Sequence, residues 1–568
     1  MSSPTMDASI RNTQRAPLSC ISCYKRKVKC DKKIPCGQCI RRGAVSTCRR
    51  EQVKVKGQLI QVNGDVDYSG STYQDLVLEN MALKAQVHAT ASGVAQYPAT
   101  DGDDLFVLDE MTEAPSVHLF DHMTYKHSPR TVSCWDDVVF PTREQSGYLI
   151  LQARERIAWI HYALHHPTFE QEHDYFWNRT STHEDRLAYD PAWLAIYFST
   201  LSAVLVFLHD EDTPSSPASR SFVPSPMRKW YDTAVFFLEK ADYLRVPTLM
   251  TVQTIAILGI VFNNVGDFHF HHNLWGVAVR TAQTIKINNE QYLASRHPIE
   301  REVCRRVWWT LTICDWLPLP QRTPTLLEQD FNVNLPAIKD DDELAGAKLR
   351  PASHPRKVHY HIVMIRIATV YYRYRLALRL GRWTNSTIVD LVTKTDDRLA
   401  QIIGELPTWL QNDAGTGGGA LPAAAAHPRP KYRDVDYPWI SGQRTKLSML
   451  LHNVRITINK SLQNLWLDQG LVFQRVRSIC LDSSNAIISL ALDGGEPIER
   501  LNSWAVVANL FSAAVTIATE EQLQGGSVNE DPSSPVRRCM AFFESVQEHN
   551  QVAVAALEML HAITSRSG

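Results

Sequence analysis

Six of the 11 cysteines in this chain of 568 residues are crowded between Cys20 and Cys48. Their spacing, C-x2-C-x6-C-x5-C-x2-C-x8-C, divides the stretch into two similar halves. A segment this short cannot bury a hydrophobic core, so disulfides or bound metal must hold its fold. Disulfides require an oxidising compartment, and residues 1–19 contain no apolar stretch typical of a secretory signal. We therefore expect a metal site whose segment is unfolded without its metal.

The number of thiolates indicates how many metal ions this segment binds. Each half begins with a C-x2-C pair, which can place two thiolates on one tetrahedral zinc ion. Two tetrahedral zinc ions need about eight ligand positions, and six thiolates fill them if two of the thiolates bridge both ions. The alternative is one zinc ion bound by four cysteines, with two thiols left over. That arrangement leaves the similar spacing of the two halves unexplained. We expect two Zn²⁺ per chain, held by six ligands: Cys20, Cys23, Cys30, Cys36, Cys39 and Cys48.

The same end of the chain is strongly basic. Residues 1–57 contain 14 Lys and Arg and 3 Asp and Glu, a net charge of +11, whereas the whole chain carries −1. This asymmetry indicates a polyanionic partner, and we expect double-stranded DNA, bound through its phosphates with a strong dependence on salt. The basic run is also typical of a nuclear import signal, and the two roles are compatible. The candidate DNA contacts are Lys25, Arg26, Lys27, Lys29, Lys32 and Lys33.

The cysteine spacing and Pro35 in the central loop resemble the fungal binuclear-cluster (Zn2Cys6) transcription factors. The resemblance implies that Cys20 and Cys36 are the two bridging ligands, an assignment that the ligand count alone leaves open. It places one zinc ion on Cys20, Cys23, Cys30 and Cys36, and the other on Cys20, Cys36, Cys39 and Cys48.

The resemblance also implies how DNA is read. It places Lys27, with Arg26 beside it, in the major groove at the end of the first short helix. A lysine or arginine donor at that point suits guanine O6 and N7, and the family commonly reads CGG triplets. Lys25 and Lys29 are expected to contact phosphates.

Residues 49–70 form a linker in which loose alternation of polar and apolar residues is broken by Gly57 and Gly64. The pattern predicts either a short hairpin or an extended arm. In the family that the cysteines resemble, this linker helps to set the spacing between half-sites.

Residues 71–90 predict a helix that begins with a capping box of Ser71 and Gln74. A heptad register follows in which Asn80 occupies an a position, a placement that favours a parallel two-stranded coiled coil. The alternative is a single amphipathic helix docked on the large domain, because the register covers little more than two heptads. We expect a homodimer formed through the a and d positions Tyr73, Leu76, Asn80, Leu83 and Val87.

Residues 91–140 mix acidic and hydrophobic side chains. We interpret this stretch as an acidic linker that packs against the large domain, and a transcriptional activation segment is the alternative.

Residues 141–568 predict a large all-α region. Thr142 and Gln145 form a capping box at its first helix, and Ala192–Leu208 is strongly apolar. Because the latter stretch contains Ser and Thr and lacks basic anchors at its ends, it predicts a buried core helix and no membrane span. Stretches rich in Ser, Pro, Gly or Ala predict loops at 211–226, 412–430 and 525–535, with 412–430 disordered.

One part of this region resembles the fungal transcription-factor regulatory domain, or middle homology region, best matched over residues 141–345. We expect Arg305 or Arg306 to pair with Asp315 or Asp330 in a helical core, and Arg322 to cap or clamp the following loop. The spacing of His269, His271 and His272 does not suit a metal site, and His165–Pro167 predicts a helix end. The matching residues are Arg305, Arg306, Trp308, Trp309, Asp315, Arg322, Pro324, Asp330, Leu335 and Pro336.

These features predict a mainly α protein that acts in the nucleus as a sequence-specific regulator of RNA polymerase II genes, such as a metabolic or secondary-metabolite biosynthetic gene cluster. No GxSxG, Walker, GxGxxG or zinc-hydrolase motif is present, so we expect no enzymatic activity. The alternative is a ligand-sensing or enzymatic all-α protein in which the cysteine segment only directs the protein to DNA. A small-molecule effector or a coregulator is an expected partner of the large domain, and no membrane is expected. The predicted organisation is a disordered N-terminus (1–19), Zn2Cys6 domain (20–48), linker (49–70), coiled-coil helix (71–90), acidic linker (91–140) and regulatory domain (141–568).

Overall fold

The computed structural model divides into two units, residues 1–101 and residues 102–568. Helices dominate it, as the sequence predicts. The residues that it describes are 11–13, 19–32, 35–49, 53–55, 58–60, 105–106, 119–120, 122–123, 129–208, 226–317, 323–381, 383–411, 437–463, 470–495, 501–523 and 531–565.

The N-terminal unit contains two short helices and a small sheet. The helices are α1 (Ile21–Lys25) and α2 (Gly37–Ile40), and a 3-10 turn follows at Val45–Thr47. The strands are β1 (Arg11–Thr13), β2 (Val53–Val55) and β3 (Gln58–Ile60), in the order β1-β2-β3.

In this sheet, β2 pairs in parallel with β1 and antiparallel with β3, with Val53 opposite Ile60. The predicted hairpin in the linker is therefore confirmed, in preference to an extended arm. The predicted coiled-coil helix at residues 71–90 lies outside the described residues.

The large unit, residues 102–568, is built from helices connected by loops and 3-10 turns. Its strands β4 (Leu105–Phe106) and β5 (Trp383–Thr384) form a two-stranded antiparallel ladder. Its helices are α3 (Arg143–Arg156), α4 (Ala158–His161), α5 (His166–Arg179), α6 (His183–Leu187), α7 (Pro191–Leu205), α8 (Pro226–Lys240), α9 (Leu249–Leu258), α10 (Phe268–Thr284), α11 (Glu290–Leu293), α12 (Pro298–Trp316), α13 (Asp341–Leu344), α14 (Val358–Leu380), α15 (Asn385–Gly404), α16 (Trp439–Lys460), α17 (Gly470–Leu492), α18 (Trp504–Leu523), α19 (Pro535–Val546) and α20 (Gln551–Ser565).

Helix α7 is the central core element of this unit. Every residue from Trp193 to Val204 is buried. The hydroxyls of Ser199 and Thr200 donate to the backbone carbonyl of Ile196, at 2.8 and 2.9 Å, which satisfies them inside the core. The predicted core helix is confirmed, and none of the helices among the described residues is long and apolar enough to cross a membrane.

The large unit contains two hydrophobic cores. The first is formed mainly by α3 to α16, and the second by α16 to α20. Helix α16 belongs to both, because Val454 packs into the first core and Ile456 into the second. Leu119 and Phe120, from the predicted acidic linker, are buried in the second core, which agrees with the linker interpretation.

The capping box of Thr142 and Gln145 is confirmed, but the predicted helix end at His165–Pro167 is wrong. Helix α5 begins at His166, with Pro167 in its first turn. A proline is compatible both with the end of one helix and with the first turn of the next. The sequence pattern alone did not show which of these roles Pro167 has.

The expected ion pairs of helix α12 are also wrong. Arg306 is fully buried and pairs with Asp341 at 2.6 Å, while Arg305 pairs with Glu290. Nine residues separate Arg306 from Asp315, which is two and a half helical turns and places them on opposite faces. Asp315 instead accepts the backbone N–H groups of Thr325 and Leu326, at 2.9 and 2.8 Å. Asp315 therefore holds the loop that follows α12. The sequence predicted this role for Arg322, which lies outside the described residues.

Candidate metal centre and nucleic-acid interface

The two halves of the cysteine segment fold alike. Cys20 precedes α1 and Cys36 precedes α2, and both have extended backbone, with φ/ψ of −68/150° and −78/152°. The N–H of Tyr24 donates to the carbonyl of Cys20, and the N–H of Ile40 donates to the carbonyl of Cys36, both at 3.0 Å. The sequence repeat is thus a structural repeat that points four cysteines at one place.

The thiols meet at distances that suit zinc. Cys20 Sγ lies 3.8 Å from both Cys36 Sγ and Cys39 Sγ, and Cys23 Sγ lies 3.5 Å from Cys36 Sγ. Two thiolates bound to one tetrahedral zinc at about 2.3 Å are about 3.8 Å apart. The sulfur atoms of Cys20, Cys23, Cys36 and Cys39 all lie within 4.8 Å of one another. All six cysteines are buried and none forms a disulfide, so the donor set fits zinc.

The thiols of Cys30 and Cys48 and the carboxylate of Asp31 lie next to this group of four thiols. The Cys36 N–H donates to Cys48 Sγ at 3.2 Å, and Cys30 groups with Asp31 and Cys36. The Asp31 carboxylate accepts the N–H of Gly37 at 2.7 Å and ties the end of the first half to the start of the second. This role of Asp31 was not predicted from the sequence, although Asp31 is the one acidic residue between Cys20 and Cys48.

The close packing of the thiols raises the pKa of one and lowers the pKa of another. Burial raises the pKa of the Cys48 thiol to about 12. Burial acts the same way on Cys36, but hydrogen bonds from the Cys39 N–H and from neighbouring thiols lower its pKa to about 6. Thiolates this close repel one another, and a divalent cation between them removes the repulsion.

The backbone at Lys27 is unusual. Helix α1 ends at Lys25 with Arg26 as its C-cap, and the next residue, Lys27, has a φ of +54°. The equivalent residue in the second half is Gly43, with a φ of +66°. A left-handed conformation costs a residue with a side chain about 1–2 kcal/mol, and such strain concentrates at functional sites.

The predicted DNA contacts lie on an exposed basic surface. Arg26, Lys27 and the neighbouring lysines of the first half are exposed, and Arg41, Arg42 and Arg49 of the second half are exposed as well. Lys33 lies outside the described residues. The described candidates on this surface are Lys25, Arg26, Lys27, Lys29 and Lys32.

Two family models match separate parts of the chain. The fungal Zn(2)-Cys(6) binuclear cluster domain matches residues 18–57, and the fungal specific transcription factor domain matches residues 158–348. The first match covers the six cysteines, and the second covers α12 together with the ion pairs of Arg305 and Arg306.

Three curated relatives illustrate the similarity. An agnestins biosynthesis cluster transcription factor of Paecilomyces divaricatus is 19% identical, over 98% of this chain and 86% of the relative. The probable transcription factor lepB of Aspergillus flavus is 24% identical, over 73% of this chain and 75% of the relative. The aurofusarin cluster transcription factor aurR2 of Gibberella zeae is 24% identical, over 59% of this chain and 49% of the relative.

The matched domains, the zinc-compatible cysteine geometry and the basic surface agree with one another. The chain therefore carries a zinc-binding Zn(2)-Cys(6) cluster domain and a fungal specific transcription factor domain, and it is a DNA-binding transcription factor.

Proposed function

We propose that the cysteine cluster holds two zinc ions per chain, with Cys20 and Cys36 as the bridging ligands. The proposal is supported by contacts between the halves: Cys20 Sγ lies 3.8 Å from Cys39 Sγ, and Cys36 Sγ lies 3.5 Å from Cys23 Sγ. Each of these two thiols therefore reaches a thiol of the other half. When bound, zinc supplies the folding free energy that a hydrophobic core supplies in larger domains.

Metal analysis of the purified full chain tests this stoichiometry. The expected result is two zinc ions per chain, and Cys20→Ser should lose both ions because it removes a ligand of each. Cys48→Ser, which removes a ligand of one ion only, is the matched control. One zinc ion in the unmodified chain would refute the bridging scheme.

We propose that the Zn2Cys6 domain reads CGG-type half-sites through Lys27 and Arg26, with Lys25, Lys29, Lys32 and Lys33 as phosphate contacts. Support comes from the position of Lys27 just after α1, where its side chain is exposed and its backbone is left-handed. Base contacts set specificity, whereas phosphate contacts set affinity for every sequence.

Two single substitutions separate these roles. Lys27→Ala should reduce discrimination between a CGG duplex and one with altered guanines, while Lys29→Ala should weaken binding to both duplexes by a similar factor. Lys29→Ala should also reduce the salt dependence of binding, because one phosphate contact is lost. If the two variants behave alike in both assays, the assignment of Lys27 to the bases is wrong.

We propose that the chain binds DNA as a homodimer through the heptad positions Tyr73, Leu76, Asn80, Leu83 and Val87. A symmetric dimer would present two clusters to two half-sites, as its two-fold symmetry requires. Replacing both leucines by aspartate should give a monomer by light scattering and should remove the preference for a paired site over a single one. A monomeric unmodified chain that still prefers paired sites would argue against this helix.

We propose that the protein acts in the nucleus and regulates a biosynthetic gene cluster, with residues 141–568 as a non-enzymatic regulatory domain that responds to a small molecule or a coregulator. One relative is named for an agnestins biosynthesis cluster and another for an aurofusarin cluster. Genome-wide mapping of bound sites should show paired CGG triplets upstream of clustered biosynthetic genes. The boundaries proposed for the other segments are 1–19, 20–48, 49–70, 71–90 and 91–140.

A further inference from the structure

Each half of the cysteine segment begins at a short helix whose first N–H group is bound by the other half. In the first half, the N–H of Ile21 donates to the backbone carbonyl of Arg49 at 2.8 Å. Ile21 directly follows Cys20, and Arg49 directly follows Cys48. This bond therefore joins the start of the first half to the end of the second. Its acceptor is a main-chain atom, which any amino acid at position 49 would supply.

A reciprocal bond joins the start of the second half to the end of the first. The N–H of Gly37, which follows Cys36, donates to a carboxylate oxygen of Asp31 at 2.7 Å. Asp31 directly follows Cys30, the last cysteine of the first half. The acceptor here is a side chain, and an ionised acceptor forms a shorter and stronger hydrogen bond than a neutral one. Of the two bonds, this one can be removed by substitution of the acceptor residue.

Gly37 suits this bond because it has no side chain. A Cβ atom added at Gly37 would lie 3.0 Å from the carboxylate oxygen of Asp31 that accepts the bond. This separation is shorter than ordinary van der Waals contact, so the carboxylate would have to move away. The bond therefore requires both the carboxylate at position 31 and glycine at position 37.

The Asp31 carboxylate also lies close to the thiols. One of its oxygen atoms is within 4.8 Å of both Cys30 Sγ and Cys36 Sγ. Groups that surround the ligands of a metal ion orient those ligands, and their loss lowers metal affinity by about 10-fold to 100-fold. Asp31 is placed to orient Cys36, which is one of the two thiols proposed to bridge the zinc ions.

Lys32 connects Asp31 to the basic surface. It directly follows Asp31, its side chain is exposed, and its φ is +69°. A left-handed backbone is unfavourable for a residue with a side chain, and it persists where the surrounding structure holds it. The buried Cys30 and the bound Asp31 fix the chain immediately before Lys32. The direction in which Lys32 leaves the cluster therefore depends on the bond between Asp31 and Gly37.

We propose that Asp31 is a positioning residue that links the zinc cluster to DNA binding. Its carboxylate holds the start of the second half, so that Cys36 is oriented for zinc, and it holds Lys32 towards a DNA phosphate. Glycine at position 37 is required because it leaves room for the carboxylate. The inference rests on the proposed roles of Cys36 as a bridging ligand and of Lys32 as a phosphate contact.

Competition for zinc between the full chain and a chromophoric chelator tests the role in metal binding. Asp31→Ala should lower zinc affinity by about 10-fold to 100-fold, whereas Asp31→Asn, which keeps an acceptor oxygen, should recover most of that loss. Arg49→Ala is the matched control and should leave zinc affinity unchanged, because the acceptor at position 49 is the main chain. Unchanged zinc affinity in Asp31→Ala, or an equal loss in Asp31→Asn, would overturn the proposal.

Gly37→Ala separates the hydrogen bond from other effects at this position. In the chain that keeps Asp31, this change should lower zinc affinity about as much as Asp31→Ala does, because the added Cβ displaces the carboxylate. In the Asp31→Ala background it should cause no further loss, since alanine favours a helix more than glycine does. Additive losses would show that Gly37 acts independently of Asp31, which contradicts the proposal.

DNA binding at saturating zinc tests the positioning of Lys32, and the sign of the effect decides the result. Removal of an acidic group from a basic surface should by electrostatics alone strengthen binding to DNA. We instead expect Asp31→Ala to weaken binding to all duplexes by a similar factor and to lower the salt slope by about 0.9, the contribution of one phosphate contact. The change should have no further effect in the Lys32→Ala background. Stronger binding by Asp31→Ala, or equal losses with and without Lys32, would overturn the proposal.

Failure of this inference can be distinguished from failure of the proposed zinc stoichiometry. Two zinc ions in the unmodified chain, together with unchanged zinc affinity in Asp31→Ala, would refute the role of Asp31 and sustain the bridging scheme. One zinc ion in the unmodified chain would refute both.

Discussion

Lys27 allows the cost of a backbone conformation to be measured separately from the contribution of a side chain. Its φ is +54°, and Gly43 occupies the same place in the second half with a φ of +66°. Relative to glycine, a side chain in this region costs about 1 kcal/mol or slightly more. Lys27→Ala and Lys27→Gly both remove the ammonium group, and only Lys27→Gly also relieves the backbone.

We expect both replacements to lose sequence discrimination. A good contact between a basic side chain and guanine contributes about 1–3 kcal/mol, or about 5-fold to 150-fold in the ratio of Kd values for CGG and altered duplexes. The two variants should differ in zinc affinity, because folding of this domain is coupled to metal binding. A difference of about 1 kcal/mol makes the zinc affinity of Lys27→Gly about fivefold higher than that of Lys27→Ala.

Fluorescence anisotropy with labelled duplexes measures discrimination, and competition with a chromophoric chelator measures zinc affinity. Lys29→Ala is the matched control, since Lys29 is exposed and lies outside the left-handed region. Equal zinc affinities for the two Lys27 variants would refute the backbone argument. Retained discrimination in either variant would refute the base contact.

Three further predictions concern metal and buried charge. Removal of zinc by a chelator should abolish DNA binding and leave most of the helical circular dichroism, because the helices of the large unit hold no part of the cysteine cluster. Arg306→Met should lower the free energy of unfolding of the large unit by about 3–5 kcal/mol, because it removes the fully buried cation that pairs with the largely buried Asp341. Arg366→Met at the surface should cost about 1 kcal/mol or less. Arg356 binds both oxygens of Glu343, at 2.8 and 3.0 Å, and this hydrogen bonding holds the pKa of Glu343 at about 2, below its unfolded value of about 4.3. The ionised Glu343 therefore stabilises the fold above about pH 4, and this contribution is lost as the pH falls towards about 2. Glu343→Gln should lower the free energy of unfolding by about 3 kcal/mol at neutral pH and by progressively less in acid. Denaturant titration at a series of pH values measures this difference. Destabilisation by Glu343→Gln that does not change with pH would contradict this account.

The sequence predicted those features that depend on spacing along the chain. The six cysteines, the capping box of Thr142 and the apolar helix α7 are local patterns, and each is found in the structure. The partner of Arg306 was not predictable in the same way, because Asp341 lies 35 residues away, beyond the end of the helix. Only tertiary packing brings the two together, and helical geometry excludes the nearer candidate, Asp315.

Two other features of the structure were not predicted from the sequence. The left-handed backbone of Lys27 has a signal in the sequence, since aligning the two cysteine halves places Lys27 opposite Gly43. Glycine at that position indicates a turn that disfavours side chains. A cavity of about 180 Å³ beside His166 has no such signal, because its lining residues come from stretches that lie far apart in the sequence, between Arg154 and Trp439.

The difference between the two halves supports the proposal that the chain binds DNA as a dimer. In the proposed assignment only the first half has a lysine for base contact at this place, because Gly43 stands in the second half where Lys27 stands in the first. Even with Arg26 contributing, one cluster gains about 2–6 kcal/mol of discrimination from its base contacts. Specific sites are bound about 4–10 kcal/mol more tightly than other DNA, so a single cluster reaches only the lower part of that range. Two clusters joined by the heptad around Asn80 would span it, and a variant that is monomeric should therefore lose selectivity even though its zinc cluster is intact.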